Sequence, residues 1–218
     1  MCAAIAWDRP EERYFETGVS KGVLYTQKEG KWVGVPWNGL ISVNESPSGA
    51  EETELYADNI KYAGLRSAEK FSATIEAYMY PDEFAECDGS VEATTGVFLG
   101  QQDRKTFRYS YVTQIGSAKD GTSGGAYKLH IVYDSTASPS DRTYNTVNDS
   151  PDAATLSWET SATPINVTGY KPTSTITIDS RKVSKEKLTA LEAKLYGAET
   201  SEPELPDPDQ VIAMLKTV

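Results

Sequence analysis

Histidine is almost missing from this 218-residue chain: His130 is the only one, and it lies between Leu129 and Ile131. A histidine-rich metal centre is therefore excluded, and a Ser-His-Asp triad would have to use His130, which no nucleophile-elbow pattern accompanies. Cysteine is nearly as scarce, with only Cys2 and Cys87. Cys2 sits at a chain end prone to fray, so no structural disulfide is expected and a reducing site of synthesis is. No apolar run is long enough to cross a bilayer. The opening "MCAAIAWDRPEER" lacks a basic n-region and an apolar h-region, so no secretion signal is read there. The glycosylation-type triplets at Asn44, Asn148 and Asn166 are then accidental. A GxxxxGK[ST] phosphate loop is also lacking. "DGTSGGAYK" is glycine-rich but reads as a hairpin tip.

The chain is instead rich in acid, with a net charge of −11 that is unevenly placed. Residues 45–92 hold twelve acids and three bases, a surplus of −9, whereas residues 93–181 hold eight of each. Such a window repels nucleic acid. Its densest part, "YPDEFAECDGS" (80–90), gathers Asp82, Glu83, Glu86 and Asp88 around Cys87. Asp82 with Glu86 has the composition of a glycosidase carboxylate pair, and the cluster that of a calcium site. The D-x-D-x-D-G register of an EF-hand loop is absent, however, and neither a catalytic nor a metal-binding residue is assigned. No cofactor is called for.

Thirteen tyrosines, sixteen glycines and frequent Thr, Val and Ile favour β-structure. Period-two alternation marks strands at 71–80, 104–115, 126–133 and 154–163, with another at 173–179. In 71–80, Ile75 and Ala77 oppose Thr74 and Glu76. In 154–163, Leu156 and Trp158 oppose Ser157 and Glu159. Phe107, Tyr109 and Tyr111 oppose Arg108 and Ser110. Earlier strands are read at 22–26 and 39–46, joined by a turn-rich segment bearing Trp32 and Trp37, both expected as core or interface anchors. A flexible hairpin loop is expected at 116–125.

Residues 47–70 show no clean strand period. They read as one long connection with a helical turn through "AEETELYADN", and ordered connections of that length tend to carry function. One helix is plain at 184–197: Ser184 is placed as N-cap, Gly197 as C-cap, and Leu188, Leu191 and Leu195 form one apolar stripe. A short second helix starts at Asp207 and Pro208, with Val211, Ile212, Met214 and Leu215 expected to dock. One mainly β domain over 1–218 is expected: an antiparallel β-sandwich or partial barrel with a flanking helix, a long assembly loop at about 47–70, and a helical segment at about 184–218.

Several ordered stretches carry a resemblance. "FETGVSKGVLY", "VPWNGLISVNESPSGAE", "ELYADNIKY", "TIEAYMYPDEFAECDGS" and "GQQDRKTFRYSY" resemble the major tail protein, or tail tube protein, of long-tailed phages of Gram-positive hosts. "YKLHIVY", "NDSPDAATLSWE", "TPINVTGYKPTSTITIDS" and "LEAKLYG…LPDPDQVIAML" extend the likeness from about Trp7 to Leu215. The resemblance implies a structural virion protein and not an enzyme. Its copies would close into homohexameric rings that stack into a tube in the virion tail, after synthesis in the host cytoplasm. Other tail proteins would cap the tube ends. Double-stranded DNA would pass through without specific binding, and no membrane would be engaged. Glu76 and Glu159, acids on the polar faces of their strands, are the candidates for an acidic lumen. Glu51, Glu54, Tyr56, Asp58 and Asn59 are the candidates for subunit or ring contacts. Two other functions fit the composition: a soluble β-sandwich glycan-binding module using Trp32 and Trp37, and an acid/base hydrolase built on the acidic cluster.

Overall fold

The computed structural model describes residues 5, 7–9, 12–117, 123–146 and 153–216. Thirteen strands run in chain order: β1 Tyr14–Lys28, β2 Lys31–Pro36, β3 Leu40–Glu45, β4 Ser48–Gly49, β5 Glu52–Ala57, β6 Ile60–Arg66, β7 Glu69–Ala77, β8 Val91–Thr94, β9 Val97–Leu99, β10 Phe107–Ser117, β11 Ser123–Ala137, β12 Leu156–Ala162 and β13 Thr175–Asp179. Two helices follow, α1 Lys185–Tyr196 and α2 Pro208–Leu215. All pairings among the strands are antiparallel.

The main sheet runs β2-β1-β10-β11-β12-β7-β3 and does not close. It folds on itself at β11. Lys128–Val132 of β11 pair with β13, whereas Ser135–Ala137 pair with β12. Asp134 between them takes φ 44°, a left-handed conformation that interrupts the ladder. The result is a sandwich, with β12, β7 and β3 laid over β1, β10 and β11. A third layer of α1 and α2 covers the opposite side of the main sheet. The sandwich with flanking helix read from the sequence is the fold observed.

Strand alternation explains both cores. Phe107, Tyr109 and Tyr111 point between the sheets, with Leu24, Ile75, Ala77, Trp37 and Trp158. Val23, Tyr25, Val112, Leu129, Ile131 and Tyr133 point the other way, onto Leu188, Leu191, Leu195, Leu205 and Val211. One expectation is corrected here. The second face of β10 reads as the polar one opposite a buried one, yet Arg108 and Ser110 are themselves buried under the helices. Arg108 is tolerated because Nε donates to Asp134 (2.7 Å) and a terminal nitrogen to Asp207 (2.8 Å). Its guanidinium also lies 4.2 Å from the Trp32 ring centroid. A buried charge needs such pairing, and here it ties β10 to the N-cap of α2. Asp207 and Gln210 complete a capping box there. Ile212 differs from the sequence reading: it remains exposed while Val211 is buried.

The acidic stretch 80–90 resolves into two populations. A 3-10 turn at Asp82–Phe84 sends Phe84 inward. Its ring packs 4.7 Å from Trp37 and 5.2 Å from Trp158 and Phe107. Cys87 is buried beside it, and Trp37 lies in the same core. Asp82 stays exposed, Glu86 pairs with Lys105 (2.7 Å) and Glu83 with Lys28 (3.8 Å) at the surface, and the nearly covered Asp88 is held by Arg104 and Arg142. Burial pushes the Cys87 thiol up to about 12. At pH 8 it is therefore a protonated, covered thiol, and thiolate is the reactive form. In a variant with Cys2 replaced by serine, a thiol reagent is expected to label nothing at pH 8 until denaturant is added. Native labelling at the unfolded rate would contradict the burial.

Candidate functional site

Two of the surfaces that this fold leaves open among the described residues bear the predicted site residues. The first is the outer face of the β3–β7–β12 layer. Glu76 stands opposite Ser157 on one side and Ser42 on the other, and Thr74 stands opposite Glu159 and Asn44. Directly opposed residues share a face, so Glu76 and Glu159 are diagonal neighbours on one surface. Ser42, Asn44, Ser72, Thr74, Ser157 and Ser161 make up the rest of it. Lys70, two residues before Ser72 on β7, continues the same face. Glu76 is half-buried and accepts a hydrogen bond from Ser42 Oγ (2.8 Å), whereas Glu159 is exposed. The two acids chosen from alternation alone thus come together on an open sheet face.

The second surface was misread in the sequence. Residues 47–70 are neither an irregular connection nor a helical turn. They form β4 and the β5–β6 hairpin, a two-stranded sheet of its own. Its turn is Asp58-Asn59, with φ 50° and 63° between the paired residues Ala57 and Ile60. Positive φ at both central positions is what a tight type I′ hairpin turn demands, and Asn and Asp tolerate it better than other non-glycine residues. Sequence reasoning had this signal available in "YADNIK" and passed over it.

The hairpin is two-faced. Glu52, Glu54 and Tyr56 lie opposite Arg66, Gly64 and Lys61. Lys61 Nζ reaches both Glu52 (2.8 Å) and Glu54 (2.7 Å), and the Tyr56 hydroxyl donates to Glu54. These bonds, Lys61 first, hold the Glu54 carboxyl below its ordinary range. Glu52 lies across Gly64, where a Cβ would come within 2.0 Å of its carboxylate oxygen. The other face holds Leu55, Ala57, Ile60, Ala63 and Leu65, with Tyr62 at a bulge. Leu65 is 58 % exposed, Ile60 66 % and Tyr62 76 %. Glu51 and Ser67 join the base of the hairpin through two hydrogen bonds. Of the predicted contact residues, Glu51, Glu54 and Tyr56 are therefore engaged within the hairpin, while Asp58 and Asn59 form its tip.

A second hairpin, β8–β9, was not foreseen. Val91 pairs with Leu99 and Thr94 with Val97 around Thr95-Gly96. Val91, Val97, Phe98 and Leu99 are all exposed. The alternating "VEAT" followed by "TG" and "VFL" was the available signal.

His130 is no surface residue. Its ring stacks on Tyr111 at 4.7 Å, and Nε2 lies 3.0 Å from Thr113 Oγ1. Glu16 (3.5 Å) and Glu45 (3.9 Å) flank it. Burial lowers its pKa against the pull of both carboxylates, which leaves it neutral at pH 7. The region 116–125 expected as a loop belongs to β10 and β11 as far as it is described; residues 118–122, like Asn148, lie outside the described residues. Among the described residues no helix is long and apolar enough to cross a membrane. Likewise, no cluster of three or more His, Cys, Asp or Glu residues among them could hold a metal ion. No protein-family model matches the sequence, and no curated protein matches it.

Proposed function

We propose that this chain is a self-assembling structural subunit, the major tail tube protein of a long-tailed phage, whose copies form six-membered rings stacked around a channel for DNA. The observation that supports it most is the β5–β6 hairpin. An isolated two-stranded hairpin is marginal in water, and this one also leaves Leu55, Ile60 and Leu65 uncovered. Contact with another copy would bury that face and order the hairpin. The open β3–β7–β12 face supplies a polar, acid-bearing surface suited to a channel wall past which phosphates slide. Of the two tryptophans of the glycan-binding alternative, Trp37 is a core residue, while Trp32 is half-buried against Arg108 and lines a cleft beside Asp82 and Glu86.

The test is negative-stain microscopy with sedimentation of the wild-type chain and of the Leu55→Asp, Leu65→Asp variant. Both leucines are exposed, so the variant should fold. Wild-type protein is expected as rings or tubes, and the variant as a folded monomer at tenfold higher concentration. A wild-type chain that stays monomeric throughout overturns the proposal.

A further inference from the structure

His130 on β11 and Glu45, the last residue of β3, belong to different layers of the sandwich and meet over Tyr111. Tyr111 of β10 stands directly opposite His130 in the ladder. Its ring lies parallel to the imidazole, within 2°, and its hydroxyl donates to Glu45 Oε1 (2.5 Å). Toward the Nε2 edge of the imidazole, Glu16 of β1 accepts from Thr113 Oγ1 and from Lys128 Nζ. This pattern fixes the tautomer. Thr113 has one hydroxyl proton, and Glu16 takes it. Toward His130 the same oxygen can only accept, so Nε2 carries the ring proton and Nδ1 is bare. Nδ1 faces Thr177 Oγ1 (3.5 Å) and Glu45 Oε1 (3.9 Å). The charged groups that act on the ring are Glu16 from β1, Glu45 from β3 and Lys128 from β11 itself. β10 presents Tyr111 and Thr113, and β13 presents neutral Thr177 directly opposite, while its Asp179 is held by Arg181 (2.7 Å).

We infer that His130 is an acid-operated catch between the two layers of the sandwich. A proton from solvent enters at Nδ1, and the ring then donates from both nitrogens. Nε2–H stays on Thr113. The new Nδ1–H turns Thr177 from donor to acceptor and pulls Glu45 in from 3.9 Å to the shorter distance of a charge-assisted hydrogen bond. The Glu45 carboxylate is then shared between Tyr111 and His130, and the end of β3 is drawn onto β11. Burial opposes the charge, so the catch closes only below the ordinary histidine range. An unfolded chain takes up the same proton near pH ~6.5. Stability present at neutral pH is therefore lost as pH falls from about 6.5 towards the folded midpoint, even as the local contact tightens.

Because the histidine is unique, a chain made with isotope-labelled histidine gives one imidazole signal, in solution or, for assembled copies, under magic-angle spinning. Its titration midpoint is expected below that of a free histidine. Glu45→Gln should weaken proton uptake further, by at least about threefold, as loss of a unit charge about 4 Å away demands even at the screening of water. The Glu45 carboxyl signal, assigned by its loss in Glu45→Gln, and the Tyr111 ring signals should shift with the His130 midpoint, and His130→Gln should abolish both shifts. Glu16→Gln should also lower the midpoint yet leave the Glu45 shift in place, because Glu16 faces Nε2. In urea, the unfolding midpoint of the wild-type chain should fall between pH 7 and about pH 5.5, and stay level in His130→Gln. A Glu45 signal indifferent to the His130 midpoint, or a His130 midpoint unmoved by Glu45→Gln, overturns the catch.

Discussion

Leu191→Ala is expected to destabilise the folded chain by about 2–5 kcal/mol, read as a shift in a denaturant midpoint with unchanged slope. Leu191 is fully buried at the centre of the α1 stripe, with Leu188 and Leu195 on either side. That stripe covers Leu129, Ile131, Tyr133 and Ile178 of the main sheet. Truncation would lose the transfer free energy of the removed carbons and leave a cavity. Collapse into the cavity is hindered because α1 is held at both ends. Tyr25 donates to the Leu195 carbonyl (3.2 Å), and Lys187 reaches the carbonyls at the end of α2. Such a loss is a large part of the 5–15 kcal/mol typical of a domain. A change below about 0.5 kcal/mol would falsify the claim that α1 is an integral layer.

The helix layer and the sandwich were legible because their signals are local. Leucines at 188, 191 and 195 repeat with helical period between a serine and a glycine. Ile75, Ala77, Leu156 and Trp158 alternate with polar residues, and the register places them face to face. What escaped was set by distant partners. Arg108 and Ser110 look like a solvent face in the sequence; they are covered because Asp134 and Asp207, remote in the chain, neutralise the arginine. Alternation cannot say whether a polar face meets water or a satisfying partner. The β5–β6 hairpin escaped for another reason. Its strands are short, and the unpaired extra residue Tyr62 in β6 breaks the period. The Asp58-Asn59 turn was the surviving clue. The same limit applies to His130, whose stacking on Tyr111 depends on cross-strand register and not on its neighbours in the chain.

In the tube proposed for this chain, replacing both Glu76 and Glu159 by lysine is expected to convert passage of DNA into retention. The two carboxylates lie on one open face of β7 and β12, among hydroxyl and amide side chains, with Lys70 further along β7 the cation on that face. In a ring, each would recur once per subunit and form a continuous band of negative potential. A repulsive wall acts without contact, over about 8 Å at physiological salt. Lysine at the same positions reverses the band, and each cation that meets a phosphate releases counterions, so retention should rise steeply as salt falls. The subunit should tolerate the change. Glu159 is exposed, and Glu76 gives up only the hydrogen bond from Ser42. Circular dichroism and the thermal midpoint would check that tolerance. Labelled double-stranded DNA mixed with tubes, or ejection timed from particles carrying the variant, would read the function. Retention growing from high to low salt in the variant, with wild-type tubes indifferent, is the expected pattern. Equal retention by both at every salt concentration would remove this face from the channel wall and leave the β5–β6 hairpin as the remaining ground for self-assembly.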